Sequence, residues 1–552
     1  MAVNRPTAGP STSLKRTSGP RRQPLVSFRV ARDSAVAVNF DDMATTRSCG
    51  LLPDSRLYQS FGAHQKCDPP FRSKDDPGNS DVSLGVEYRR SRMLQLIVRC
   101  AVLVIFIPAL MGQTLVITDC TLIDTRNGVA TAHSSIVITG DRIAARGPTA
   151  STRIPAGARI VRASGKFVIP GLWDMHVHVG EIEEDWFPLY LANGLTGLRE
   201  MAASEKNAPR QRQYQQDLAS GRRFGPELFW TLFPMDAPAF DDARQARAEV
   251  ARRAAMGLSY IKIYDGLSRE AYFAIADECR KRGLQMVGHI PDRISAREVA
   301  RAGQASVEHL DGVLLACSRK EAEARWMVQH NQNAWKMLLD TFDSGKADAL
   351  IETFRAGGVW QTPTLVIYRT ASLAEDHKLP GDAPIQYARR DYLKAWPREA
   401  LGGPMGGLDA DSARRLFVVY QDLLRRMDRR GIRILAGTDT PYPYCVPGFA
   451  LHEELALLVE AGLSPAAALR TATWNPAEFL HVSQNYGSLE AGKVADLVVL
   501  DANPLVAIAN TRRIQAVVRR GRLIEAAALR LMLEGVRTEV GKNGATTGHL
   551  QR

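Results

Sequence analysis

Cysteine is sparse and scattered in this 552-residue chain: there are seven, and no two form a CxxC pair. That excludes a zinc ribbon and a disulfide framework. Aromatic residues make up only 7%, and no Lys/Arg stripe is interleaved with them. The net charge of +12 therefore does not speak for a nucleic-acid partner. Half of that excess sits in residues 1–92, which hold 15 basic and 9 acidic residues. A long apolar run is also missing. The stretch Cys100 to Met111 is broken by Pro108 and is shorter than the about 20 residues a membrane span needs. No glycine-rich phosphate fingerprint follows the first strand pattern of the βα region, which sets a doubly wound open sheet aside. What is present is ordinary: 45% apolar and 24% charged residues. That composition excludes a wholly disordered chain, a fibre and a multi-span membrane protein.

Residues 1–92 read unlike the rest. RPTAGPSTSLKRTSGPRRQP and CDPPFRSKDDPGNSD are polar and broken by Pro and Gly, with no period that could bury a face, so they are expected to be disordered or a mis-assigned upstream extension. At Met93 the character changes. Arg99 precedes the apolar run, and the small residue Gly112 follows it, which is the pattern of a secretory signal peptide over 93–112. A periplasmic or secreted location follows, with the membrane met only through that segment. Four cysteines lie beyond it: Cys120, Cys279, Cys317 and Cys445. In an oxidising compartment Cys317 and Cys445, read as loop residues on one rim, could pair.

From Thr114 the chain turns strand-like. TLVITDCTLID, SSIVITGDRIAARG and ARIVRASGKFVIPG are Val/Ile/Thr-rich runs with Asn-Gly and Gly-Asp turns, and read as hairpins. GSLEAGKVADLVVLD and RRIQAVVRRGRLIE repeat that character near the other end. Between them, GLTGLREM, PELFWTLF, SYIKIYDG, LQMVGHI, SVEHLDG, WQTPTLVIY and IRILAGTD alternate with helical patterns such as REAYFAIADECRKRG. The expected architecture is α/β: a (β/α)8 barrel over 170–485, with a small β-sandwich built from 113–169 and 486–528. Residues 529–552 would form a C-terminal helix and tail.

The chemistry concentrates at the expected strand ends. In GLWDMHVHVG, alternation along a strand points His176 and His178 together into the barrel while Met175, Val177 and Val179 pack outward. Two imidazoles so placed can hold a metal, although core histidines share the pattern. His289 in GHI, His309 in EHL and Asp439 in AGTD add three metal-competent side chains at the rim where barrels build their sites. In SYIKIYDG, Tyr260, Lys262 and Tyr264 would face inward. A buried charged Lys is costly when unpaired. Two readings stay open for Lys262: an ion pair with Asp265 or a neighbour, or a carbamate that bridges two metals.

With these motifs the chain resembles the amidohydrolase superfamily from about Thr114 to Ile524, including SPAAALRTATWNPAEFL and GSLEAGKVADLVVLD. Within it, the chain is most similar to the imidazolonepropionase-related and prolidase-like branch. The resemblance implies two divalent ions, zinc by expectation. His176, His178 and Asp439 would hold one and His289 and His309 the other, with carbamylated Lys262 between them. The chain departs from prolidase-like relatives at GHIPD, which has no second histidine after His289; the metal site stays intact, and dipeptide specificity is left open.

The expected reaction is hydrolysis of an amide-type C–N bond in a peptide, N-acyl amino acid or similar small molecule, with Asp439 as general base. Cyclic amides, imides, esters or lactones are the alternative on the same metals, and a barrel that binds a ligand or metal without turnover is the non-enzyme alternative. Tyr264, Arg199 and His452 are candidate substrate-binding residues. Tyr264 could instead be barrel packing, Arg199 could pair with Glu200 or Glu181, and His452 could cap a helix. The segments Cys317 to Gly358 and Arg369 to Gly403 are candidate lids. Assembly into homo-oligomers is left open.

Overall fold

The computed structural model describes residues 114–179, 186–373, 384–389, 392–393, 396 and 408–542. The expected signal segment, everything before it, Glu181 and most of Arg369 to Gly403 lie outside the described residues.

Among the described residues there are fifteen strands. The first five are β1 (Thr114–Asp124), β2 (Val129–Thr139), β3 (Arg142–Pro148), β4 (Arg159–Arg162) and β5 (Phe167–Pro170). Seven parallel strands follow: β6 (Leu172–Val177), β7 (Leu195–Ala203), β8 (Glu227–Leu232), β9 (Tyr260–Ile263), β10 (Gln285–Gly288), β11 (Ser306–Glu308) and β12 (Trp360–Thr362). The last three are β13 (Leu497–Leu500), β14 (Ile514–Arg519) and β15 (Arg522–Glu525).

The parallel strands close into a ring. Strands β6 to β8 form one run and β9 to β12 another, joined where Met235 bridges Ile263. The segment 434–440 is the eighth stave: Ile434 bridges Gln361 beside β12, and Thr440 bridges Val177 on β6. The short strands leave few ladder bonds, so closure also depends on links such as Met175 N–H to the Ala436 carbonyl at 2.8 Å. Helices between the strands start on side-chain caps, among them Asp242, Ser268, Ser295 and Asp343, each worth about 1 kcal/mol. Gly303, at φ +80°, ends the helix Ala296–Ala302 and turns the chain into β11, a left-handed conformation that favours glycine.

The remaining strands form one eight-stranded sheet in the order β15-β14-β13-β5-β1-β2-β3, with β4 on β1. Around β13 both faces of this sheet are buried, as alternation dictates. Leu497 and Val499 point into a core with Leu115, Ile117 and Ile138. Val498 and Leu500 join Ile169 and Leu195 in the main barrel cluster. The sheet therefore docks on the barrel through residues from both ends of the described chain.

The structure corrects three expectations. WQTPTLVIY is not one strand: it stops at Thr362, and Leu365–Leu373 is a helix packed into the main cluster. Met175 does not pack outward. The β6–β7 register slips between Asp174 and Val177, and Met175 joins Tyr260, Val287 and Leu435 in the barrel interior. Cys317 and Cys445 are free thiols, fully buried in the main cluster rather than exposed on rim loops. Burial pushes the Cys317 thiol up to about 12. The segment Cys317 to Gly358 folds into helices Glu321–Gln329, Trp335–Asp340 and Ser344–Gly357.

Candidate active site

At the C-terminal ends of the barrel strands, His176, His178, Lys262, His289, His309 and Asp439 come together. Asp439 Oδ1 lies 2.9 Å from His178 Nε2 and 3.3 Å from His176 Nε2. Lys262 Nζ lies 3.3 Å from the same His176 nitrogen. The His309 ring centre is 4.5 Å from that of His176 and 5.1 Å from that of His289. Ligand atoms of His176, His309 and Asp439 all fall within 4.8 Å of one another. That trio draws on both of the ligand sets that the resemblance implies.

Each of three imidazoles is held by its Nδ1. His176 Nδ1 meets Glu308 Oε2 at 2.9 Å, His289 Nδ1 meets Asp265 Oδ1 at 2.8 Å, and His309 Nδ1 meets Thr364 Oγ1 at 2.8 Å. An ionised carboxylate can only accept, so His176 and His289 donate from Nδ1 and keep a lone pair on Nε2. Carboxylate partners of this kind fix the tautomer of metal-ligating histidines. Backbone strain marks the same place: His309 has φ +60°, Leu310 φ +53° and Asp439 φ +57°, conformations that persist only where the surroundings enforce them.

Burial sets the electrostatics. It pushes His289 down to about 4 and His309 down to about 3, and drives His176 well below its usual value. All three are therefore neutral at pH 7. Burial also lowers Lys262. For Asp439 burial works upward, but His309 and the His178 hydrogen bond outweigh it and hold the carboxyl at about 2. The centre thus offers neutral imidazoles and an ionised carboxylate, which is a donor set for a divalent cation. One atom tests the fit directly. His289 Nε2 is buried and has no hydrogen-bond partner, a state that costs free energy unless a cation or water completes it.

The three substrate-binding candidates separate. Tyr264 is half-buried and packs its ring 4.2 Å from that of His289, at the site. Arg199 and His452 do not belong to a substrate pocket. Arg199 is fully buried, bonded to Glu308 at 2.8 Å and to the Met175 carbonyl, so it neutralises the acid that holds His176. His452 lies in the helix Phe449–Glu460, where it joins Thr511 Oγ1 at 2.9 Å to the Asn193 carbonyl at 3.1 Å. Lys262 forms no ion pair with Asp265, because Asp265 is turned to His289.

A family profile described as "Amidohydrolase family" matches residues 243–524, just over half of the chain. The chain belongs to that family. The family generally binds divalent metals, in keeping with the donor set above. Among individual proteins, this family member is 25% identical over 367 residues to an imidazolonepropionase of Geobacillus kaustophilus (strain HTA426), covering 63% of this chain and 77% of that one. It is 41% identical over 175 residues to adenine deaminase 2 of Jannaschia sp. (strain CCS1), covering 32% and 25%. An adenine deaminase of Cenarchaeum symbiosum (strain A) matches at 39% over 67 residues, 12% of this chain. The chain spans 11% to 25% of the length of the adenine deaminases it matches. Among solved structures, bottromycin amidohydrolase superposes with a TM-score of 0.61 at 24% identity, covering 78% of this chain and 91% of that one. A Xaa-Pro dipeptidase with bound methionine gives 0.55 at 19%, covering 75% and 100%. At such identities these structures establish the shared barrel fold.

Several residues that build the site escape a sequence reading. Asp174 carries a signal, being an acid inside the strand Leu172–Val177, while Glu308 ends the strand Ser306–Glu308 next to His309. Asp174 accepts from the Thr438 hydroxyl at 2.6 Å and from the Thr438 N–H at 3.1 Å, tying the loop of Asp439 to the strand of His176. Burial raises its carboxyl to about 7. Asp265, Asp311 and Thr364 lie in loops and give no such signal.

Proposed function

We propose that this protein is a metal-dependent hydrolase of amide-type C–N bonds, acting on a small peptide or N-acyl amino acid. The observation that carries the reading is the convergence of His176, His309 and the ionised Asp439, with buried Lys262 3.3 Å from His176, beside a His289 whose buried Nε2 has no partner. His176, His178 and Asp439 would hold one divalent ion, His289 and His309 a second, and Lys262, as its carbamate, would lie between them. When bound, such a pair lowers the pKa of a shared water from 15.7 to about 7 and polarises the scissile carbonyl.

The protein's own residues supply the rest. Asp439, ionised and 2.9 Å from His178, accepts the proton of the attacking water and returns it to the departing nitrogen, giving a carboxylate and an amine. Lys262 is buried among the ligands without a carboxylate partner at ion-pair distance among the described residues. As a neutral amine it can add CO2 and release a proton, which turns it into an anionic ligand. Tyr264 stands beside His289, where its hydroxyl can meet the substrate.

The Xaa-Pro dipeptidase, which shares the fold, gives dipeptides as one class to screen. The imidazolonepropionase match, over 77% of that relative, favours testing ring amides as a second class. The test is a screen of zinc-loaded protein against N-acyl amino acids, dipeptides and ring amides, with and without a chelator. Chelator-sensitive release of a carboxylate and an amine is the expected result. Fewer than one ion per chain and no turnover of any class would count against the reading.

A further inference from the structure

The loop that carries His289 is pinned by its backbone, and its ring is pinned separately. Gly288 sits at φ +127°, and a Cβ there would lie 2.2 Å from the Ile263 carbonyl oxygen. Gln304, itself buried, donates its side-chain amide to the carbonyls of Gly288, His289 and Ser306 at 3.0–3.1 Å. Its own oxygen accepts from the Tyr272 hydroxyl at 3.1 Å. The Cα of His289 therefore has little freedom. What remains is the tautomer and the rotation of the imidazole.

Two carboxylates settle that freedom, one from each neighbouring stave. Asp265 follows β9 and places Oδ1 2.8 Å from His289 Nδ1. Asp311 follows β11 and places Oδ2 3.9 Å from the same nitrogen, where it also accepts from the Ile290 N–H at 3.3 Å. Of the two only Asp265 is within hydrogen-bond distance of Nδ1, and the opposite nitrogen is the buried atom that has no partner. A neutral imidazole carries one proton. With that proton on Nδ1, Nε2 must present its lone pair to the centre; with the proton on Nε2, a donor would face where a cation belongs.

We propose that Asp265, backed by Asp311, is a positioning residue that locks His289 as the Nδ1–H tautomer, and so sets the affinity of the ion held by His289 and His309 without touching the ion held by His176, His178 and Asp439. The inference rests on the two-ion reading above. It assigns the acidic pair at this rim to the metal centre rather than to a third cation. Removing an outer partner of this kind typically lowers metal affinity 10–100-fold.

The experiment titrates chelator-stripped wild-type protein, Asp265→Ala and Asp265→Asn with Zn(II), against a competing indicator, and with Co(II), followed by its ligand-field absorption. Urea unfolding of the stripped proteins checks that each is folded. The wild type should take up two ions. Asp265→Ala should bind one as the wild type does and the other about 10–100-fold more weakly. Asp265→Asn, whose side-chain oxygen still accepts from Nδ1–H, should stay near the wild type. Asp265→Ala retaining both affinities would overturn the inference, and so would Asp265→Asn losing as much as Asp265→Ala. A third ion in the wild type that disappears in Asp265→Ala overturns it as well. A wild type that takes up no divalent ion removes the function reading, and this inference with it.

Discussion

Glu308 is the residue whose removal the structure prices most clearly. Its carboxylate is fully buried and meets Arg199 Nη2 at 2.8 and 3.0 Å, His176 Nδ1 at 2.9 Å and Ser306 Oγ at 2.5 Å. At 2.8 Å and an effective dielectric of 20, the gross attraction between Glu308 and Arg199 is about 6 kcal/mol. Withdrawing both ions from water costs several kcal/mol each, so the intact pair contributes little net stability. Truncating one partner is different. In Glu308→Ala the guanidinium stays buried with only the Met175 carbonyl and Thr362 Oγ1 as acceptors, and its Nη1 is without a partner already. The expected loss is about 3–5 kcal/mol, read by urea unfolding of the chelator-stripped protein with tryptophan fluorescence. Replacing both residues, Arg199→Met with Glu308→Leu, should recover most of that loss, because two apolar side chains leave no unpaired charge. A Glu308→Ala protein destabilised by less than about 1 kcal/mol would refute the argument, and so would a double variant as unstable as the sum of the singles.

Three further outcomes are expected. Lys262→Ala should bind one ion or none and lose at least about 10³-fold in kcat, roughly 4 kcal/mol of barrier, with partial recovery in short-chain carboxylic acids; two ions and ordinary turnover would return Lys262 to a packing role. Gly288→Ala should unseat His289, since its Cβ would meet the Ile263 oxygen at 2.2 Å, and metal analysis should find fewer ions than in the wild type; full occupancy would mean that the loop yields. His452, pushed by burial from 6.5 down to about 3, binds its proton more readily in the unfolded chain. Stability from this residue is therefore complete above pH 6.5 and falls as pH drops toward 3, by up to about 1.4 kcal/mol per unit. In stripped protein, His452→Gln should lose less stability than the wild type between pH 6.5 and 4, and parallel curves would contradict the assignment.

The barrel was legible because its strands are short apolar runs bounded by glycine turns, and because each ligand sits where such a run ends. His289, His309 and Asp439 could be placed from GHI, EHL and AGTD without knowledge of the ring. Alternation gave Tyr260 and Lys262 as neighbours on one face, and both are buried in the barrel. The same rule failed at Met175, because the register slips between Asp174 and Val177 and a slip of one residue reverses every later side chain. It failed again in WQTPTLVIY, where a β-branched run folds as the helix Leu365–Leu373. Tertiary burial overrides the local preference there.

The partners that orient the ligands could not be read, and the reason is distance along the chain. Glu308 is 132 residues from His176 and 109 from Arg199, while Thr364 is 55 residues from His309. Each pair meets only because the ring brings its staves together. Arg199 shows the consequence. As a cation near the end of an apolar strand it reads as a hook for a substrate carboxylate, and local sequence offers only Glu200 or Glu181 as alternatives. Its actual partner lies four staves further along the ring. A buried arginine needs an acid wherever the fold can supply one, and Glu308, fully buried at the end of β11, is that acid. Sequence can show that both charges lie in buried strands and must be neutralised. Only the closed ring shows that they neutralise each other, and that doing so leaves His176 with its lone pair turned to the centre.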